Sequence, residues 1–326
     1  MESPLLQSPG AVAADAPDQE VAAHYGDPSR EQRALEDGTA FVDRSNRDVV
    51  KVSGPDRLKW LHSLLSQHLE ALAPFEPTEA LLLGPKGHVE HHLFVIDDGE
   101  ATWAHVEPGE APSLVEFLDR MRFMLRVAVA DVSDAYMVVT GPPSSDRLAW
   151  PDVAGTTTRI VPRGAFPEGL APAGVWAYEA LRIAEHRPRF GLDTDERTIP
   201  HEAGYVETAV HLNKGCYRGQ ETVARVHNLG RPPRRLVFLH LDGSVDRLPA
   251  HGDPVEVPGG RAIGFVGSAA RHHELGPVAL ALVKRNVPVD AELLAGGVAA
   301  AQEVVVSPDT GANAQIALRR RPAKHG

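Results

Sequence analysis

The chain of 326 residues holds a single cysteine. That excludes an internal disulfide and any zinc or iron–sulfur site built from several thiolates of this chain alone, and it suits a reducing compartment. No apolar run is long enough to cross a bilayer. The N-terminus carries acids and prolines where a secretory signal needs a basic start and an apolar core, so a cytoplasmic location without membrane contact is expected. Basic excess is missing as well. A formal charge of −11 argues against a general nucleic-acid coat and favours a small anionic ligand held at a local basic patch. No dinucleotide glycine fingerprint is present. What is there is ordinary for a globular protein, 43% hydrophobic and 24% charged, with length for two or three domains.

The one cysteine has an unusual setting. Lys214-Gly215-Cys216-Tyr217-Arg218-Gly219-Gln220-Glu221 places it between two glycines and two cations, directly before a segment that reads as a helix start. Gly215 permits a turn that a Cβ would resist. Free N–H groups at the helix N-terminus would stabilise negative charge on Cys216, and Lys214 and Arg218 would add to the effect. A free cysteine is more often a buried, inert hydrophobe. Here the flanking Lys, Arg, Gln and Glu cannot all be buried unpaired, which favours a functional thiolate.

This segment resembles the signature of the folate-binding YgfZ family, iron–sulfur cluster maintenance proteins related to the aminomethyltransferase (T-protein) of the glycine cleavage system. The match is ungapped over K-G-C-Y-x-G-Q-E, and a weaker pattern covers most of residues 31 to 326. The resemblance implies an α+β fold, a three-domain cloverleaf-like T-protein/YgfZ arrangement with a C-terminal small antiparallel β-barrel. It implies tetrahydrofolate or a derivative as cofactor. Cys216 and Lys214 become the candidate catalytic pair, and Arg182, Glu202, Tyr217, Gly219, Gln220, Glu221 and Arg225 the candidate folate contacts. Expected partners are folate and iron–sulfur client or assembly proteins; direct RNA binding is not expected, nor a metal site, and the chain is expected to be a monomer. One departure stands out. Where the aminomethyltransferases have a Gly-x-x-x-Asp-Asp stretch with a catalytic aspartate, this chain has His91 and His92, whose charged form is positive.

In chain order, residues 1–29 are rich in Ala, Pro, Asp and Ser and read as a disordered arm. Residues 30–230 form the folate-binding α+β region of two intertwined domains, 231–318 the β-barrel, and 319–326 a basic tail. Arg47 to Val52 alternates like a strand, and Pro55 suits the first helical position ahead of Leu58, Leu61, Leu64, Leu65 and Leu69. Ala80–Leu83 and Val89–Ile96 read as a hairpin across Gly84-Pro85-Lys86-Gly87. In that arm His88, Glu90 and His92 would share one face and His91 the other, a pattern that fits either a metal site or a solvated polar face. Ser113 could cap a helix bearing Leu114, Phe117, Leu118 and Met121. Trp176 to Glu185 reads as a helix with an apolar Trp176, Ala180, Leu181 and Ile183 stripe. Glu179 and Arg182 lie three apart on it, as a weak surface pair. Glu202 could orient Lys214, bind a pterin amino group or cap a turn.

Three functions follow from these readings. The first is a folate-dependent accessory protein for assembly or repair of iron–sulfur clusters, with Cys216 as nucleophile, transient metal or cluster ligand, or redox sensor. The second is a tetrahydrofolate-dependent aminomethyl or one-carbon transferase, which the missing aspartate opposes. The third is a regulator linked to tRNA modification, suggested by the family and by the run Arg231 to Arg235. Arg225, Arg231, Arg234 and Arg235 are the expected cations for a folate glutamate tail.

Overall fold

The computed structural model describes residues 2–312. The basic tail expected at 319–326 lies outside them. Two five-stranded sheets and a closed barrel carry the architecture. In the first sheet the strands lie in the order Thr78–Leu83, Val89–Asp97, Ala101–Val106, Asp48–Ser53 and Ala128–Asp131, all antiparallel. Its leucine-rich hairpin is buried on both sides, which explains why so few of its residues alternate with polar ones. On one face Val50, Leu82, Leu93 and Val95 pack under Trp60, Leu61 and Leu64 of the helix Arg57–Leu64 and Leu114 and Leu118 of the helix Ala111–Met121. On the other face Val49, Ile96 and Trp103 meet Val138, Trp150 and Ile160 of the second sheet, while Leu81, Leu83 and Val89 meet Tyr205, Tyr217 and Val223.

Both helix starts differ from the sequence expectation. Pro55 sits in the preceding turn and the helix begins at Arg57, with Asp56 at its N-cap. Ser113 lies inside its helix, because the orphan N–H of Ala111 is taken from outside by Asp48 Oδ2 at 2.8 Å.

The second sheet runs Ala149–Pro151, Thr157–Pro162, Tyr136–Gly141, Ala40–Asp43 and Ala171–Ala173, the last pair parallel. The helix Val175–Ala184 is the hub between lobes. Ala177, Tyr178 and Leu181 pack on Val21, Ala23 and Leu35, and Ala180 and Ile183 pack on Leu236, Phe238 and Leu280 of the barrel. Trp176 departs from the expected apolar stripe: it is 47% exposed and lies against His24.

The barrel follows the order Arg234–Leu241, Gly276–Lys284, Ala262–His272, Pro254–Glu256, Glu292–Ala295 and Val298–Val304, and closes where the last strand pairs with the first. Val237, Leu239, Val255, Val266 and Ala281 fill its interior. Closure removes the sheet edges that a six-stranded open sheet would expose.

The expectation of a disordered arm over 1–29 is overturned. Val12–Ala13 pairs with Ala22–His24, and Val21 and Ala23 are fully buried. Ser3 Oγ donates to Asp43, and Asp18 accepts from Asn46 and from Arg189. A short apolar run, Val21 to Ala23, and a few polar anchors hold the arm, too brief a pattern for hydrophobic periodicity to report.

Candidate functional site

A cavity of about 720 Å³ opens where the first sheet, the segment after the hub helix and the chain leaving the barrel come together. Glu79 and His92 meet diagonally across the hairpin strands, with His92 Nε2 at 2.9 Å from Glu79 Oε2. Burial opposes ionisation of Glu79, but the hydrogen bond from His92 and the charge of Arg187, 3.8 Å away, hold its carboxyl below the usual range. The wall continues as a row of rings. His105 stacks on Phe94 at 4.6 Å, Phe94 lies 4.7 Å from His92, and His92 4.7 Å from Tyr205.

Several polar atoms in this wall have no protein partner. The Tyr205 hydroxyl and both ring nitrogens of His201 are buried without a hydrogen bond. Burial, and then the nearby His227, push His201 down to about 4, so it is neutral at pH 7. Buried orphan groups are rare in finished structures and mark places where a ligand or ordered water completes the bonding.

A small annex shares His92, Phe94, Arg187 and Pro188 with the cavity and is bordered by Arg44, Arg47, Glu107, Tyr178, Arg182 and Arg189. Here Arg189 Nε bonds Glu107 at 2.7 Å and its Nη1 and Nη2 bond Asp18 at 2.7 and 2.8 Å, while Arg47 takes the other oxygen of Glu107. Burial opposes the charge on Glu107, yet Arg189 and Arg47 together hold its carboxyl far below the ordinary range.

Arg182 belongs to this network. The expected weak surface pair with Glu179 is a buried one, at 3% exposure for Arg182, and the guanidinium also reaches Asp193 at 2.9 Å and Ser268. Against its burial, the charges of Glu179 and Asp193 push it above its ordinary value.

The signature is placed differently from the expectation. No residue from 214 to 226 lines the cavity, although Leu212 and His227 just outside that range do. Lys214 is buried, and its ammonium donates to the carbonyls of His62, Leu65 and Gln67, the last at 2.9 Å. Burial pushes it down to about 8. Arg218 pairs with Glu90 at 2.8 Å. Both cations expected to support a Cys216 thiolate are therefore engaged elsewhere. Cys216 itself is exposed and the helix starts only at Gln220, with Gly219 between them at φ +80°. A Cβ on Gly219 would lie 2.7 Å from the carbonyl oxygen of Gly84, so the glycine is what lets this loop sit on the hairpin turn.

Tyr217 is core, and burial raises its hydroxyl to about 12. Gln220 donates to the Lys214 carbonyl at 3.3 Å, and Glu221 and Arg225 are exposed. Glu202 is fully buried. It accepts from the Ile199 N–H at 3.1 Å and from Arg234 Nη2 at 2.8 Å, so of its three expected roles it caps the turn and fixes Arg234, leaving Lys214 to other partners.

The expected cationic run does not converge on a ligand either. Arg231 pairs with Asp309, Arg234 with Asp195 and Glu202, and Arg235 is buried against Val287 and Gln302. Of the expected hairpin faces, the split of His91 from His92 holds, but Glu90 does not share the face of His92. The strand pairing skips Glu90, so that Leu82 faces His91 and Leu83 faces Val89; this bulge sets Val89 on the side of His92. His91 lies against Glu110 on the opposite face.

Sequence reasoning missed Glu79, Arg187, His201 and Tyr205 as cavity residues. The only signal was the polar glutamate and paired histidines within an otherwise leucine-rich hairpin.

The chain superposes on the aminomethyltransferase T of the glycine cleavage system from Bartonella henselae with a TM-score of 0.76, covering 92% of this chain and 94% of that one at 17% identity. In sequence it is 25% identical over 327 residues to an aminomethyltransferase of Streptomyces avermitilis, covering 86% of this chain and 87% of the relative. It is 27% identical over 225 residues to a mitochondrial iron–sulfur cluster assembly factor IBA57 homologue of Mycosarcoma maydis, covering 60% of this chain. The chain spans 55% of the length of that relative and 57% of a similar chloroplastic protein of Arabidopsis thaliana. No family model matches. These relatives and this fold make the chain similar to aminomethyltransferases in sequence and in fold, and to an iron–sulfur cluster assembly factor IBA57 homologue in sequence.

Proposed function

We propose that the chain binds a reduced folate in the junction cavity and serves iron–sulfur cluster assembly. The observation that carries the reading is the cavity itself. Its volume, about 720 Å³, suits a ligand of folate size. Glu79 offers an ionised acceptor of the kind the pterin amino groups need. His92, Phe94 and Tyr205 supply a ring-lined wall for a flat heterocycle. The unpartnered Tyr205 hydroxyl and His201 nitrogens supply further polar partners, and Arg187 offers a cation. Folate would bring one-carbon chemistry; this chain's residues would bind and orient it. The names of the relatives support the iron–sulfur half of the reading.

Anaerobic titration calorimetry with tetrahydrofolate should give saturable heat at a micromolar dissociation constant, about −8 kcal/mol. Glu79→Gln should weaken binding roughly tenfold or more, since one charged acceptor in a buried site is worth about 1.5–3 kcal/mol. Absence of saturable heat would sink the folate reading. A separate outcome is expected for the thiol. Because Cys216 is exposed and outside the cavity lining, Cys216→Ser should leave folate affinity and thermal stability unchanged while failing to restore iron–sulfur enzyme activities in a strain lacking the protein. Full restoration would remove the cysteine from the function.

One observation favours a second reading, a one-carbon transferase. The histidines replace the acidic pair of the aminomethyltransferases, but Glu79 on the neighbouring strand returns a carboxylate to within 2.9 Å of His92. Turnover of an aminomethyl donor, lost in Glu79→Gln, would select it.

A further inference from the structure

Far from the junction cavity in sequence, the C-terminal end of the helix Pro28–Glu36 meets the turn between the barrel strands Ala262–His272 and Gly276–Lys284. One oxygen of Glu36 and one nitrogen each of His272 and His273 lie within 4.8 Å of one another there. We propose that Glu36, His272 and His273 form a binding site for a divalent first-row transition ion, zinc by preference, that staples the N-terminal helix to the barrel.

The arrangement is more than an ion pair. Glu36 Oε2 lies 2.8 Å from His273 Nε2, yet that nitrogen is buried and makes no aligned hydrogen bond. His273 Nε2 is thus a buried polar nitrogen without a hydrogen-bond partner, set beside a carboxylate oxygen. Around tetrahedral zinc, with bonds of about 2.0–2.2 Å, ligand atoms stand about 3.3 Å apart. The Glu36–His273 spacing of 2.8 Å lies below that value, and the whole set is held within 4.8 Å. The rings of His272 and His273 are already stacked, 4.8 Å apart and 28° from parallel.

The backbone beneath is braced. Gln32, one turn back on the helix, donates to the Arg271 carbonyl and accepts from the His273 N–H, both at 2.9 Å. Two imidazoles and a carboxylate are a borderline ligand set that suits zinc and leaves a position for water. One feature limits the affinity. His272 Nδ1 faces the N–H groups of Glu274 and Leu275 at 3.2 Å each. Coordination through Nε2 moves the ring proton to Nδ1, so those two long contacts are given up on binding and the dissociation constant falls in the micromolar range.

The test is zinc calorimetry, with cobalt(II) absorption as a second readout, on the full chain carrying Cys216→Ser so that the thiol cannot compete. One site is expected. Glu36→Gln and His273→Ala should each weaken it at least tenfold, and zinc should raise the melting temperature of the parent but of neither variant. Glu36→Gln keeps the shape of an exposed side chain, so a folding defect cannot mimic the result. Unchanged affinity in either variant overturns the proposal and directs attention to another group, such as His62, His68 and His211, whose rings lie 4.6 and 5.2 Å apart. No saturable binding below 1 mM zinc, taken as roughly 4 kcal/mol, overturns it outright.

Discussion

Replacing Arg189 by methionine should destabilise the chain by about 4 kcal/mol, enough to be read as a large drop in denaturant midpoint at unchanged slope. The guanidinium is shared by three acids with largely buried side chains from distant parts of the sequence. It reaches Asp18 of the N-terminal arm at 2.7 Å, Glu107 beyond the first sheet at 2.7 Å and Glu179 of the hub helix at 3.3 Å. Methionine fills the volume but leaves Asp18 with only Asn46 among these contacts, and Glu107 and Glu179 with Arg47 and Arg182. Breaking a buried pair from one side strands charge in a poorly solvated place, and that penalty exceeds what the pair contributed. The exposed Arg126–Asp56 pair, at a comparable 2.9 Å, is the contrast: water screens both partners and its loss should leave the denaturant midpoint almost unmoved.

The same network sets an acid limit. In the folded chain Arg189 and Arg47 overcome burial to hold the Glu107 carboxyl below its unfolded value, and Arg182 and Arg189 do the same for Glu179. A depressed carboxylate stabilises the fold above its unfolded pKa, about 4.3, and that stability is lost as pH falls toward the folded value. Stability of the parent should therefore fall steeply below about pH 4, a region where the Arg189→Met variant, already lacking the interaction, should respond more weakly. Parallel acid unfolding curves would remove the network from the account.

How much of this was legible in the chain depended on the kind of force at work. The helices bearing Leu61 and Leu64 and Leu114 and Leu118 were readable because apolar burial leaves a periodic trace, the leucine hairpin because its two apolar runs flank Gly84-Pro85-Lys86-Gly87, and K-G-C-Y-x-G-Q-E pointed to the T-protein fold. The N-terminal arm was not readable: Ser3 is anchored to Asp43, and Asp18 to Asn46 and Arg189, by specific polar bonds that have no period. For the same reason Arg182 looked like half of a surface pair, since a three-residue spacing to Glu179 says nothing of Asp193 and Ser268 closing over it. The cavity was the hardest part. Glu79, His92, Arg187, His201 and Tyr205 come from three separate stretches, and their convergence depends on how the lobes dock, which no local spacing records. Conversely, the residues most visible in the sequence, Lys214 to Glu221, include several whose side chains are spent on holding the loop.

Lys214 is the clearest case, and Lys214→Met should cost about 3 kcal/mol. The helix Arg57–Leu64 ends when Leu65 turns to extended backbone at φ −97° and ψ 160°. Its last carbonyls then lack the N–H four residues on. The N–H of Ser66, which would have served His62, goes instead to Leu81 across the sheet at 2.9 Å. Lys214 supplies the missing donor to His62 and, from the same ammonium, bonds the carbonyls of the C-cap Leu65 and of Gln67 just beyond it; at about 8 it stays charged at neutral pH. Hydrogen bonds from a charged donor contribute roughly 1.5–3 kcal/mol each, and desolvating the ammonium takes back a substantial part of the sum. Methionine keeps the apolar stem in place and donates nothing, so the three carbonyls bear the loss. Chemical denaturation measures it, and alkylation of Cys216 under native conditions separates the alternatives. If Lys214 served the thiol, the variant would keep its stability and lose thiol reactivity. The geometry requires the reverse, a weakened helix end and a Cys216 that reacts at the parental rate for as long as the chain is folded.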